Sequence, residues 1–401
     1  DACFDFSNDT YVILKNFKIR GCYEGINLAG SGTHNIVIDN NEIYATGRSK
    51  IIMENGAHNI EVKNNKLYMS ILGNYHPGVW KGGRTYTHGV REWIYYCYKV
   101  YLSASQSSSD EEEGIRASSV GPGITIHDNE IFDGMVAIKV GGTSDEVEIY
   151  NNTIYRFSST GISNVKASNT RIHDNLMYDI NIMHRLHYCE YTNNGRHSYF
   201  YNNRCYNPKG VGDHTYFFFG KSSSSPSKYA DFWFYHNSFV GGRNVFAASP
   251  NADENKGLRD TYFINNIFSA NSIYGNSSGL YKGSSSMVEI FDYNWLGGYY
   301  PYTGNLPAWA GQDNINAKGQ KVWSNSSMPD FELPAGHAAR NAGIDVSTNF
   351  KINGKIYQPL PGMEPGYYTT VAPDMGIFHV NKTNQDLPNP PQNFRIISSI
   401  P

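Results

Sequence analysis

The sequence predicts an all-β fold built as a solenoid of stacked coils, and three observations predict it. The first is a phrase that returns along the 401 residues: "IVIDNNEIY", "IEVKNNKLY", "ITIHDNEIF", "VEIYNNTIY", "TRIHDNLMY", "SYFYNNRCY", "FWFYHNSFV", "TYFINNIFS" and "EIFDYNWLG". Each reads apolar-x-apolar, then a pair ending in Asn, then another apolar stretch. The second is the spacing. Aligned on Asn41, Asn65, Asn129, Asn152, Asn175, Asn203, Asn237, Asn266 and Asn294, with Phe17 in the equivalent place of the first coil, the phrases mostly recur every 23 to 34 residues. A period of that size means stacked supersecondary units, none of which buries its apolar side alone. The third is composition: 31 Tyr, 20 Phe and 39 Gly in a chain rich in Asn and Ser, a diet of strands and turns.

Within each phrase the apolar residues alternate, so the units are strands. In "ITIHDNEIF", Ile124 and Ile126 face one way, Thr125 and His127 the other. The Asn stands where the chain turns, because Asn tolerates left-handed backbone and its amide bonds locally. Stacked at ~4.8 Å, such amides also bond one another as a ladder. A second strand follows in most coils, as in "EGINLAG", "SKIIMEN", "EGIRASS", "MVAIKVGG" and "STGISNV". Two or three strands per coil of about 24 residues is the geometry of a right-handed parallel β-helix with an Asn ladder.

The coil is in progress from the first residues, "ACFDFSNDTYVILKNFKI". An open β-helix end exposes unpaired backbone groups, so either further chain precedes it or another segment covers it. One interval breaks the rhythm, the 64 residues between Asn65 and Asn129. It predicts a lobe over 70–122 inserted into a β-helix over 1–300, with the coil resuming at Ile124. Residues 301–380 form an irregular closing segment packed on the helix. The Pro- and Asn-rich residues 381–401 read as a linker towards a following module.

The totals exclude several classes. Charged residues are 17% of the chain and the net charge is −3, which argues against a nucleic-acid partner. No run of about 18 apolar residues exists to span a membrane. The five cysteines, Cys3, Cys22, Cys97, Cys189 and Cys205, form no CxxC pair, so zinc-ribbon and redox readings are weak; Cys205 reads as a small buried side chain.

Near the C-terminus, "MPDFELPAGHAARNAGIDV" and "APDMGIFHV" resemble the closing phrases of secreted right-handed β-helix proteins of the pectate-lyase-like superfold. Ala338 and Ala339 stand near that family's usual Pro-Ala, and Met375 replaces its usual Ile. "PPQNFRI" resembles the first strand of a fibronectin type III module. The resemblance implies a secreted, modular, extracellular protein with further modules beyond both ends, acting on polysaccharide. It brings no catalytic fingerprint: the hydrolase phrases "NTDG" and "GHG" and the calcium-binding "SDDGYD" of pectate lyases are absent.

Candidate chemistry therefore rests on placement. The inserted segment holds Trp80, Arg84, His88, Arg91 and Trp93, residue types that suit sugar rings and their acidic groups. It ends in the acidic run Asp110, Glu111, Glu112 and Glu113, a candidate Ca²⁺ site whose plainer reading is a solvated loop. On the second strand, alternation puts Arg116 and Lys139 outward, one coil apart, and His184, Arg185 and His187 continue the row. A basic groove suits β-elimination of a uronic-acid polysaccharide, in which a cation neutralises the carboxylate and a base removes the neighbouring proton. The expected roles are Lys139 as base, His187 as its alternate and Arg116 as neutraliser. The rivals are a glycoside hydrolase using Glu113 and Asp133, and a non-catalytic glycan-binding or structural β-helix such as an adhesin, spike or fibre.

Overall fold

A computed structural model of the protein describes residues 2–46, 48–68, 113–165, 167–187, 197–206, 215–220, 229–248, 258–274, 289–297, 310–317, 320, 322–323, 331–363, 372–376 and 395–398. In chain order its strands are β1 (Ala2–Ser7), β2 (Thr10–Lys15), β3 (Lys18–Ile19), β4 (Glu24–Ala29), β5 (His34–Asp39), β6 (Glu42–Tyr44), β7 (Ile51–Glu54), β8 (His58–Lys63), β9 (Lys66–Tyr68), β10 (Glu113–Ser118), β11 (Ile124–His127), β12 (Glu130–Gly141), β13 (Val147–Tyr150), β14 (Thr153–Val165), β15 (Arg171–His173) and β16 (Leu176–His187). They continue as β17 (Ser198–Tyr201), β18 (Arg204–Tyr206), β19 (Thr215–Gly220), β20 (Tyr229–Tyr235), β21 (Ser238–Ala248), β22 (Leu258–Ile264), β23 (Ile267–Tyr274), β24 (Ile290–Asp292), β25 (Trp295–Gly297), β26 (Ile315–Ala317), β27 (Phe350–Ile352), β28 (Lys355–Tyr357) and β29 (Arg395–Ser398). The fold is a right-handed parallel β-solenoid, as the repeat predicts. No helix long and apolar enough to cross a membrane occurs among the described residues.

Two compact units make up the chain. The first comprises Asp1–Arg171, Leu176–His187 and Asn389–Pro401, the second Ile172–Asn175 and Tyr188–Pro388. In the first unit each coil shows three faces. The first face stacks β1, β4, β7, β10 and the C-terminal halves of β12, β14 and β16, all parallel. The second stacks β2, β5, β8, β11 and β13. The third stacks β3, β6, β9 and the N-terminal halves of the same long strands. β12 and β14 carry the third face into the first through register shifts at Gly134/Val136 and Phe157/Thr160. In the second unit one sheet stacks β18, β21, β23, β25 and β26, and another β17, β20, β22 and β24.

Alternation decides the core. Ile26, Leu28, Ile51, Met53, Ile115, Ala117, Ile138 and Val140 point inward on the first face and are fully buried. Each large aliphatic side chain so buried contributes ~1.5–3 kcal/mol. In the second unit the inward places go to aromatics, with Phe200, Phe234 and Phe263 stacked at 4.7 and 4.6 Å.

The asparagines form the ladder. In the first unit Asn41, Asn65 and Asn129 each donate the side-chain amide and the backbone N–H to the Oδ1 of the next member, ending on Asn152, at 2.9–3.1 Å. The Phe17 N–H donates to Asn41, as its place in the first coil requires. In the second unit the same bonds run from Asn175 through Asn203, Asn237 and Asn266 to Asn294. They end on Asn314, a member the sequence reading missed. One expectation is corrected. The left-handed residue is the one before each ladder Asn: Asn16, Asn40, Asn64, Asp128, Asn151, Asp174, Asn202, His236, Asn265 and Tyr293 all have φ between 51° and 65°. The turn and the ladder are thus divided between two adjacent positions.

Asn65 bonds Asn129 directly, so the stack passes the long interval without a gap. The expected boundary of the lobe is wrong at its C-terminal end, however. Residues 113–118 already form β10, paired with β7 and β12, so the coil resumes well before Ile124. The other boundaries move too. β26 and Asn314 extend the coil beyond residue 300. Arg395–Ser398, expected in a linker, add to the second face as a parallel strand beside β2.

The closing segment packs on the second unit's coils. Asn265 clasps Ile344 through both amide atoms, at 2.7 and 2.9 Å, and Gly376 donates its N–H to the Asn265 carbonyl. Met375 donates to the Ala339 carbonyl at 2.8 Å, joining the two phrases that carry the family resemblance. Val346, Phe350, Ile352, Leu360 and Met363 bury against Tyr201, Trp233, Tyr235 and Tyr262. Beneath the clasp lies His236, fully buried, its Nδ1 donating to Gly376 O and its Nε2 accepting from Asn265, both at 3.0 Å.

Two outcomes follow from these contacts. Asn152→Leu strands the Ile126 and Tyr150 carbonyls and two donors of Asn129. Unfolding in urea will show a loss of at least ~1–3 kcal/mol, the penalty for one buried polar group left unpaired. Burial pushes the His236 imidazole down to about 4, against the carbonyl of Gly376, which favours its charged form. The unfolded chain, where His titrates near ~6.5, takes up the proton first. Stability is therefore intact above pH ~6.5 and falls as pH drops towards about 4, by ~3 kcal/mol in all. Unfolding midpoints measured from pH 7 to 4 will show this slope in the wild type and not in His236→Gln.

Candidate functional site

The outer side of the first face is set by strand register. One register file runs Asp5, Asn27, Ile52, Arg116, Lys139, Ser163 and Arg185, each paired with the next. The neighbouring file runs Ser7, Ala29, Glu54, Ser118, Gly141, Val165 and His187. The structure thus brings Arg116 and Lys139 together on adjacent coils, ~4.8 Å apart in rise. Arg185 falls in the same file two coils on, and His187 in the next file. His184 takes the register row of Ile115, Ile138 and Ile162. Trp80, Arg84, His88, Arg91, Trp93, Asp110, Glu111 and Glu112 lie outside the described residues.

Glu113 departs from its expected role. It is 1% exposed, and receives Lys139 Nζ on one carboxylate oxygen and Ser49 Oγ on the other, both at 3.0 Å. A carboxylate withdrawn so far from water persists only when paired and hydrogen-bonded. Glu113 is therefore the partner of Lys139 and not a member of a solvated acidic cluster. Among the described residues no three His, Cys, Asp or Glu side chains converge as a metal site. The hydrolase pair dissolves on the same ground. Asp133 is held by Arg156 through both oxygens, at 2.5 and 2.8 Å, and neither carboxylate stands ready for water or a leaving group.

Arg116 is different. It is half-buried, its Nε is shut off from solvent without an acceptor, and its guanidinium has no ion-pair or hydrogen-bond partner among the described residues. An arginine fork held without a carboxylate, beside an ammonium that is held, leaves an opening for an anionic group from outside.

Two other clusters are satisfied within themselves. His127, 5% exposed, bridges Glu61 at 3.1 Å and Asp128 at 2.7 Å and stacks on Tyr150 at 4.6 Å. Burial works against its charged form, but the bonds to Glu61 and Asp128 outweigh it and raise its pKa. On the third face Tyr44, Tyr68, Phe132, Tyr155 and Tyr178 stack in file, with ring centroids 4.8–5.1 Å apart and planes within 6°. The sequence carried this signal, an aromatic three residues after each ladder Asn of the first five phrases, and the reading missed it. The rings spend their faces on one another, and the Tyr68 and Tyr155 hydroxyls donate to Glu42 and Glu130. Stacking a sugar on an aromatic needs a free ring face, which this file does not offer.

Comparison with known proteins agrees with the fold. The family described as the right handed beta helix region matches residues 2–154. No curated protein matches the chain. Such helices include pectate lyases, glycoside hydrolases and non-catalytic proteins, so the fold alone assigns no reaction.

The Glu113–Lys139 pair gives a stability test. Lys139→Met leaves a buried carboxylate without its cation and will destabilise the protein by ~1–3 kcal/mol. Adding Glu113→Gln to that variant will recover most of the loss, as read from urea midpoints.

Proposed function

We propose that this β-helix is an extracellular protein that binds an acidic, uronate-containing polysaccharide along the outer side of its first face. Arg116 is the anchor of the sugar carboxylate. The observation that carries this reading is the half-buried Arg116, whose buried Nε has no acceptor and whose guanidinium has no partner among the described residues, in register with Lys139. A planar fork meets a carboxylate through two hydrogen bonds, a geometry an ammonium lacks. The Cys3–Cys22 disulfide supports an oxidising, extracellular setting. Calcium has no necessary place in this reading, because Arg116 and Lys139 supply the positive charge.

A second reading, β-elimination of the same polymer, is favoured by one observation: a neutraliser and an amine stand one coil apart. Its difficulty is the base. Lys139 is engaged with Glu113, and His187 lies three coils beyond Arg116, ~14 Å away along the stack.

Calorimetric titration with polygalacturonate, alginate, hyaluronate and chondroitin sulfate separates the readings when absorbance of the unsaturated product is followed in parallel. Binding without product is the expected result. Arg116→Ala will weaken it at least ~10-fold, the loss of a charged hydrogen bond. Product formation that Lys139→Ala abolishes would establish the lyase. A wild type that binds no acidic polymer would overturn both.

A further inference from the structure

We propose that the closing segment is an acid-released cover, with His236 as its trigger and Asn265 as the group that passes the proton's arrival to Ile344. The device needs no ligand and stands apart from the polysaccharide reading.

Two turn residues are unlike the rest of their row. Asn16, Asn40, Asn64, Asp128 and Asn151 hold the left-handed place in their coils and are exposed. His236 and Asn265 hold the same place and are 0% exposed, because the closing phrases lie over them. Glycine allows the approach. A Cβ at Gly343 would stand 2.8 Å from Asn265 Oδ1, and one at Gly376 2.6 Å from Ser238 Oγ.

Hydrogen bonding then fixes every proton. Asn265 Oδ1 accepts the Ile344 N–H at 2.9 Å, and Nδ2 donates to the Ile344 carbonyl at 2.7 Å, so the amide has one orientation. Its nitrogen also faces His236 Nε2 at 3.0 Å, and an amide nitrogen only donates. Nε2 therefore carries a lone pair, and the one ring hydrogen sits on Nδ1, donated to the Gly376 carbonyl at 3.0 Å. A proton taken up on Nε2 sets N–H against N–H. The amide answers by turning its oxygen to the imidazolium. That turn points its nitrogen at the Ile344 N–H and its oxygen at the Ile344 carbonyl. Two bonds to the closing segment are lost for one gained to His236. Val346, Phe350, Ile352, Leu360 and Met363 then lie on Tyr201, Trp233, Tyr235 and Tyr262 without the clasp that holds their near end.

The charges around the ring set the pH range. Asp345 and Asp374 stand on the closing phrases, with Arg340 3.8 Å from Asp374, and the neighbouring turns offer Asn202 and Asn265, which do not titrate. Burial pushes the imidazole down to about 4, although the backbone of Gly376, the charge of Asp345 and the backbone of Asp374 all favour the imidazolium. Opened to water, a histidine titrates near ~6.5. The closed form is therefore fully favoured above pH ~6.5 and loses ground as pH falls towards about 4. Between pH 7.5 and 5 this multiplies the opening constant about 30-fold, above the range in which carboxylates ordinarily titrate.

Amide hydrogen exchange at pH 7.5 and 5, corrected for the intrinsic rate at each pH, tests the device. Ile344 and Gly376 report the clasp, and Leu360, bonded to the Val346 carbonyl at 2.9 Å, reports the segment beyond it. In the wild type the opening constants of all three will rise about 30-fold on going to pH 5. The ladder amides of Asn237 and Asn266 will stay more strongly protected at both pH values. In His236→Asn, which carries the residue other coils have at this place, the rise will be absent. Asn265→Asp sets an acceptor against Nε2 and will abolish it too. An equal rise in wild type and His236→Asn would overturn the trigger, and a rise that persists in Asn265→Asp would overturn the role of the amide. Opening constants for Ile344 no larger than those of Asn237 and Asn266 would mean that the segment never lifts by itself, and would overturn the cover.

Discussion

A buried amide must find partners, and in a stack of coils the nearest partner is the same amide one turn away. That constraint orders the rest of this molecule. Each ladder Asn accepts from the coil before it and donates to carbonyls of its own coil and the one before, so a coil out of register strands several buried groups at once. Apolar alternation makes a strand. The ladder turns strands into coils of one register, and every residue beside it inherits that register. The 64-residue interval between Asn65 and Asn129 leaves the stack intact for this reason: the amides meet whatever chain runs between them.

Register carries the argument from fold to site. Arg116 and Lys139 come from separate coils, and they are neighbours because Ile115 and Ile138 are packed one above the other. The same stacking places Glu113 under Lys139 and Ser49 beside Glu113. The third face uses repetition differently, lining up five rings whose faces are covered and whose edges stand out. On one scaffold, repeated identical residues build structure, and the repetition breaks at Arg116 and Lys139.

How far this was legible in the sequence depends on which rule each residue obeys. The coil, the ladder and the outward placement of Arg116 and Lys139 follow from alternation and were readable. Glu113 was not readable in that way: the acidic run that contains it looked like a solvated loop, and only the structure shows it buried and bonded to Lys139 and Ser49. The turn asparagine was confused with the ladder asparagine because both positions favour Asn, one for left-handed backbone and one for its amide. The clasp of Asn265 and His236 on Ile344 and Gly376 joins residues far apart in the chain, and no local pattern announces it.

The account stands or falls on the ladder as the continuous element of each unit. Hydrogen exchange of the backbone amides of Asn41, Asn65, Asn129 and Asn152, resolved by NMR, tests it most directly. The account predicts that all are protected to the same degree as the neighbouring core strands, with no step between Asn65 and Asn129. Exchange at Asn65 faster than at Asn41 by orders of magnitude would mean that the stack is broken at the insertion, and would contradict it.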